Sequence, residues 1–362
     1  MKTRTVKLIL LAMAFLSAGL LNSCSDDEGT KAANKDELLV TIAEANTLLT
    51  TTSEGVAAGN YERGSQAELQ DAVDIAQVIA DLPESTQESV DGANSNLESA
   101  IGVYESKIIE AIDPANLVGH WTFYELTTAV AGTAVKDYSG NNRNGTTKAG
   151  HTYWNDGNAG VVPQLATDRY GNEGKALRLN KGSNVEIPYN VALNPASISF
   201  SVWVKLSEVR NNHFIGLHSW NGYKFEVQDG NRPFLTIHAS NNDYYDRDAA
   251  VSIGQDSWYH LVATHTAGSM KFYINGIMVK EWTNVPNGAI TLPNPFNLVL
   301  GCDFPTDQYV TDNGAGYDAD PLKKIPVQWG GYLNGYLDEV RIYKVALSGT
   351  QVTSIYNLEK PN

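Results

Sequence analysis

Sulfur is scarce in this sequence. Its 362 residues hold two cysteines, Cys24 and Cys302, and four methionines. There is no Cys-x-x-Cys pair, no His-Glu-x-x-His pair and no Gly-x-Ser-x-Gly turn. The familiar zinc, thiol-redox and serine-hydrolase signatures are therefore missing. Basic residues are also few: 26 Lys and Arg against 41 Asp and Glu, a formal charge of −15. No run of Lys and Arg offers a track for phosphates, so the chain repels nucleic acid and anionic bilayers. The same field disfavours sulfated or polysialylated glycans unless a local basic patch overrides it, and no local run of basic residues forms one. The apolar run at 8–21 is too short to cross a bilayer comfortably.

Residues 1–23 read as a processing segment: a basic start with Lys2, Arg4 and Lys7, an apolar stretch, then Leu21-Asn22-Ser23-Cys24. This resembles a bacterial lipobox, which implies cleavage before Cys24, lipidation of that cysteine and membrane attachment through the lipid. Ser25-Asp26-Asp27-Glu28, in an acidic tether over 24–34, resembles the signal that sends some Gram-negative lipoproteins to the cell surface. An outer-membrane, surface-exposed location is the expectation. Losing the leader leaves 23 Lys and Arg against 41 acids, a charge of −18. With Cys24 lipidated, Cys302 has no intramolecular partner. It follows the apolar run 297–301, so a buried structural thiol is expected.

Between 35 and 112 the apolar residues repeat at helical spacing. Leu38, Ile42, Ala45 and Leu49 form one stripe, Leu69, Val73, Ala76 and Ala80 a second, and Leu97, Ile101, Tyr104 and Ile108 a third. Ser65 with Glu68 predicts a capping box, and Thr86 predicts a cap on the third helix. Three single-striped helices must bury their stripes against one another, as an up-down bundle. Gly59-Asn60-Tyr61 and the stretches 69–76 and 86–100 resemble the FIVAR type of three-helix module found beside sugar-binding domains. That implies a spacer.

Asp113-Pro114 ends the helical region. Short alternating runs follow at 176–179, 184–187, 198–206, 214–217, 223–227, 234–239, 258–265, 270–274, 277–282, 297–300 and 335–343. Asn275-Gly276 predicts a type I′ hairpin between two of them. Many short strands at about ten-residue spacing predict an antiparallel two-sheet sandwich over 117–358. In the last strand, strict alternation puts Leu337, Glu339, Arg341 and Tyr343 on one side and Tyr336, Asp338, Val340 and Ile342 on the other. The fold class expected for the chain is all-α plus all-β.

Several segments carry a family likeness in order: Leu117-Val118-Gly119-His120-Trp121, Asp137-Tyr138-Ser139-Gly140-Asn141, the runs 198–204 and 258–263, the hairpin 272–279, and the final strand. Together they resemble a laminin-G-like jelly roll of the concanavalin A-like lectin/glucanase type. The resemblance implies binding of carbohydrate or protein more often than catalysis. It also implies a structural calcium where the first and last strands meet, with Asp338, Asp137 and Asn141 as ligands. The competing reading of Asp137 and Asn141 is an Asx turn that satisfies its own backbone. The acids Asp307, Asp312, Asp318 and Asp320 lack EF-hand spacing and read as a solvated loop.

Retaining glucanases of this fold carry acids on alternate residues of one strand. The nearest stretch here, 225–229, places Glu226 and Asp229 three apart, on opposite faces, so that pattern is absent. Three segments exceed the length of hairpin loops: 149–172, 240–250 and 305–330. They are rich in aromatics, Asp and Asn, the residues that stack on pyranose rings and bond to hydroxyls. The candidate ligand-binding residues are Trp154, Trp220, Tyr223, Asp243, Tyr244, Tyr245 and Trp329; Trp121, Trp203 and Trp258 read as core. The expectation is non-catalytic glycan capture or adhesion at the cell surface. The alternatives are a protein-protein module with a surface protein as partner, and a loop-built glycoside hydrolase.

Overall fold

The computed structural model describes residues 32–228, 230–293, 295–311 and 325–361. The leader, Cys24, most of the tether, Asp229, Asp312, Asp318 and Asp320 lie outside them. The chain forms two compact units that divide after Ala111.

In the first unit, helices span Asp36–Thr51, Ser65–Asp81 and Gln87–Glu105. Their stripes make one core from Leu38, Ile42, Ala45, Leu69, Val73, Ala76, Leu97, Ile101 and Tyr104. The Tyr61 ring stacks on that of Tyr104, with centroids 4.4 Å apart. Thr86 caps its helix through the Ser89 N–H at 3.2 Å, as expected. Ser65 does not form the expected capping box. Gly64 holds the cap position at φ 91°, a conformation glycine adopts without a Cβ penalty, and the first turn takes its acceptor from Glu54, whose Oε1 receives the Gln66 N–H at 2.7 Å.

The second unit is the expected sandwich of two antiparallel sheets. One sheet runs, in spatial order, Ile277–Trp282, Ser269–Ile274, Trp258–Thr266, Ile198–Leu206, Gly335–Tyr343, Ala176–Leu179 and Gln164–Ala166, with Leu117–Trp121 also paired to Gly335–Tyr343. The other runs Tyr244–Asp248, Arg232–His238, Tyr223–Gln228, Asn212–Leu217, Leu298–Leu300, Asn184–Ile187, Gly145–Lys148 and Ala134–Val135. Trp121, Phe200, Phe214, Phe225, Leu261 and Phe272 meet between them. Trp121 and Trp203 are buried as expected, whereas Trp258 is half-buried beside Tyr336 and Lys205. Segment 240–250 is not an open loop: it contributes the edge strand Tyr244–Asp248.

The final strand departs from strict alternation. Its pairing with Ile198–Leu206 shifts register between Asp338 and Arg341, and Glu339 sits at φ 50°. This bulge resets the phase. Leu337, Val340 and Ile342 therefore face the core together, and Asp338 and Glu339 turn away from it. Beyond the strand, Ser348 and Gln351 form a capping box for the helix Gly349–Glu359. Val352 and Ile355 of that helix pack with Val262, Tyr273 and Tyr343.

A second, smaller core is built from Val299, Cys302, Phe304, Tyr309, Ile325 and Val327, edged by Trp154, Trp220 and Tyr332. Cys302 is fully buried, as its apolar surroundings in sequence predicted, and burial pushes its thiol up to about 12.

Candidate functional site

The strand Tyr223–Gln228 alternates cleanly. Tyr223, Phe225 and Val227 enter the core between the sheets, which leaves Lys224, Glu226 and Gln228 on the opposite face. Tyr223 is thus not a ligand-binding residue. It is fully buried, lies 4.8 Å from the Phe200 ring, and donates its hydroxyl to the Leu193 carbonyl at 2.8 Å.

His213 stands directly across from Glu226 on the neighbouring strand. Its Nε2 lies 2.8 Å from a Glu226 oxygen and its Nδ1 lies 2.7 Å from an Asp303 oxygen. Lys224 Nζ approaches the other Glu226 oxygen at 2.9 Å. All four side chains are nearly or wholly buried. Burial alone lowers an imidazole pKa, but the two carboxylates outweigh it and raise His213 to about 9. Burial raises Glu226, yet His213 and Lys224 together lower it to about 2. Lys224 is also pulled down by burial, and Glu226 and Asp303 turn the balance upward. Asp303 further accepts the Gly331 N–H at 3.2 Å. Two buried cations thus lie against two buried carboxylates.

A cleft of about 430 Å³ opens over this network. Arg210, Asn211, Lys224 and Gln228 line it from one side, and Trp220, Gln328 and Trp329 from others. Trp220 sits in the short turn Ser219–Asn221, which follows His218 at φ 55° and opens with Ser219 at φ 41°. Left-handed backbone at consecutive non-glycine residues is costly, and such positions cluster at ligand sites. Lys224 Nζ lies 4.9 Å from the Trp220 ring centroid. Trp329 lies in the turn Val327–Trp329 and is 48% exposed. The Arg210 guanidinium stacks on Tyr332 at 3.7 Å and contacts Glu208 at 3.5 Å.

The cleft gathers two of the expected binding residues, Trp220 and Trp329. The others lie elsewhere. Trp154 packs on Tyr309 and Tyr332, at 4.9 and 5.2 Å. Asp243, Tyr244 and Tyr245 lie at the sheet edge; Tyr244 pairs with His238, and the Tyr245 hydroxyl accepts from Asn241 at 2.7 Å. Arg210, His213, Lys224, Gln228 and Asp303 were not among the expected residues. For Lys224 and Gln228 a signal existed in the strict alternation of 223–228, and for the rest no local pattern points to the cleft.

The residues implied as calcium ligands do not offer a vacant oxygen set. Asp137 accepts the N–H groups of His120, Ser139 and Arg143 at 3.0, 2.8 and 2.9 Å, and the Ser139 hydroxyl at 2.8 Å. This is the Asx-turn reading. Asn141 donates its amide to the Leu117 carbonyl at 2.8 Å. Asp338 is fully buried and bound by the Arg169 guanidinium, so a protein cation stands where the resemblance implies a metal. Burial raises the Asp338 carboxyl to about 8, with Arg169 pulling the other way. Among the described residues, no group of three His, Cys, Asp or Glu side chains is placed to hold a metal.

Among curated proteins none matches the chain. Of solved structures, domain 4 of AbnA, a GH43 extracellular arabinanase from Geobacillus stearothermophilus, in complex with arabinotriose, is similar at 25% identity and a TM-score of 0.47; the match covers 67% of this chain and 98% of that one. The binding domain of Paraclostridial Mosquitocidal Protein 1 is similar at 17% identity and a TM-score of 0.44, covering 68% of this chain and 52% of that one. Residues 34–102 match the family model of the FIVAR domain. Residues 179–315 match that of the laminin-G-type concanavalin A-like lectin/glucanases superfamily. The chain is thus similar to a FIVAR module over 34–102 and to a concanavalin A-like domain over 179–315.

Proposed function

We propose that the concanavalin A-like unit is a non-catalytic glycan-binding module and that the cleft over His213 is its site. The observation that carries this reading is the meeting of two tryptophans with amide, guanidinium and ammonium donors in one concavity. Indole faces stack on pyranose rings, and Asn211, Gln228 and Gln328 supply partners for hydroxyls. The volume suits a small oligosaccharide segment. The protonation states favour binding over hydrolysis. A glycosidase acid must hold a proton near neutral pH, whereas Glu226 is lowered to about 2 by its two cations.

The lipobox-like Leu21-Asn22-Ser23-Cys24 supports display of this module at the outer membrane through a lipid on Cys24, with the FIVAR module as spacer. Metabolic labelling with palmitate tests the anchor: the full chain takes up label and Cys24→Ala does not.

A glycan array on residues 25–362 tests the site. Trp220→Ala and Trp329→Ala are each expected to weaken binding of the captured glycan about tenfold or more, since truncating an aromatic anchor of a binding site commonly costs about 2 kcal/mol or more. Tyr244→Ala, at the sheet edge, is expected to leave binding unchanged. Full binding by the Trp220→Ala, Trp329→Ala double variant would reject the cleft.

A further inference from the structure

The sequence has no run of basic residues, yet folding assembles a local group of cations. Of the charged side chains among the described residues that line the cleft, Arg210, His213 and Lys224 are cationic and Asp303 is the single acid. Asp303 is 2% exposed and is turned toward His213 and the Gly331 N–H. Glu226, which balances Lys224, is fully buried and does not line the cleft. Glu208 contacts Arg210 and does not line it either. In a chain of formal charge −15, the described lining of this cleft thus holds three cations against one acid.

The donor geometry is suited to an anion. The Arg210 guanidinium is fixed by stacking on Tyr332 at 3.7 Å, which uses no N–H, and by Nη1 donating to Glu208 at 3.5 Å, which uses one of its five N–H donors. Lys224 has three N–H donors and pairs with the Glu226 carboxylate at 2.9 Å. Its side chain is only 7% exposed, so its charge is little screened by solvent. The Trp220 face lies beside that ammonium. A sugar stacked on the indole would bring a ring substituent against the cations.

We infer that the cleft selects carboxylate-bearing glycans, with a pyranose ring on Trp220 and its carboxylate at Arg210 and Lys224. This rests on the glycan-binding reading and adds the class of sugar. The planar guanidinium fork matches a carboxylate in two-point contact.

The test pairs each acidic glycan with its own neutral form. Polygalacturonate, glucuronoxylan and sialyllactose, and the carboxyl-reduced derivative of each, are titrated calorimetrically against residues 25–362. At least one acidic glycan is expected to bind about tenfold or more tightly than its reduced form, with the preference shrinking as salt rises. Arg210→Gln and Lys224→Met are expected to erase the preference, bringing the acidic and reduced forms to within about twofold of each other. If Lys224→Met fails to fold, Arg210→Gln alone decides, because Arg210 is part-exposed at the cleft rim. Equal binding of acidic and reduced forms, or a preference that survives both substitutions, overturns the charge selection alone. Binding of neutral glycans only overturns it too and leaves the glycan-binding reading standing. No binding to any of the six, with an array equally blank, overturns both.

Discussion

Glu226 stands across the strand pair from His213, with 2.8 Å between carboxylate and imidazole. The contact is fully buried, so neither charge can be traded for water. His213 is also held by Asp303, and Glu226 by Lys224. The floor of the cleft is therefore a neutral set of four charges, stable only as a set.

This set makes stability depend on pH in a defined direction. His213 rises from an ordinary value of 6.5 to about 9 in the folded chain. Its contribution is complete below about pH 6.5 and is lost as pH climbs toward 9. Glu226 falls from 4.5 to about 2, so its contribution is present above about pH 4.5 and is lost as pH drops toward 2. Both describe one pair and count once, on the order of 3 kcal/mol. All seven tryptophans lie beyond Ala111, so their fluorescence reports the sandwich alone. The denaturant midpoint followed this way is expected to fall between pH 6.5 and 9, and in His213→Gln that fall should flatten. An unchanged slope in the variant would show that His213 does not carry it.

How much of this was legible in sequence differs from element to element. The helical stripes and the main strands were readable because each has a single period and one buried face. The last strand was not, because a bulge at Asp338–Arg341 breaks the period, and alternation carries no sign of an inserted residue. The helix Gly349–Glu359 went unread although Ser348 and Gln351 announce its start. Tyr223 was misassigned by being grouped with the turn before it; its own strand pattern places it inside. His213, Lys224, Glu226, Asp303 and Gly331 meet only through sheet pairing and loop return, so no window of sequence contains the site.

Arg169 and Asp338 give the junction of the first and last strands an internal cation. Tyr124 at 3.0 Å and the Glu359 carbonyl at 2.8 Å hold the guanidinium in place. We expect chelator to leave the melting temperature of the sandwich unchanged and added calcium to do nothing. Calcium held through Asp338 would instead require a fall with chelator and recovery by mass action. Arg169→Met should destabilise by about 1–3 kcal/mol, because it leaves the buried Asp338 carboxyl without the guanidinium that binds it. Arg169→Met with Asp338→Leu should recover part of that loss, because the buried carboxyl is then gone as well.

Gly331 is required by the ring beside it. A Cβ there would lie 1.8 Å from His213 Nε2 and 2.0 Å from Cδ2. The ring has no room to retreat, since Glu226 and Asp303 hold its two nitrogens. Gly331→Ala must therefore push His213 off one carboxylate or displace the loop that carries Trp329. Overpacking of this kind costs about 1–3 kcal/mol, and displacing the imidazole removes part of the charge pairing as well. The variant is expected to melt several degrees lower and to lose much of the fall in stability between pH 6.5 and 9. It should also bind glycan less tightly, because Trp329 lies two residues away. A variant with wild-type melting, pH profile and binding would mean that the loop yields freely, and that the cleft floor is not held by the packing described.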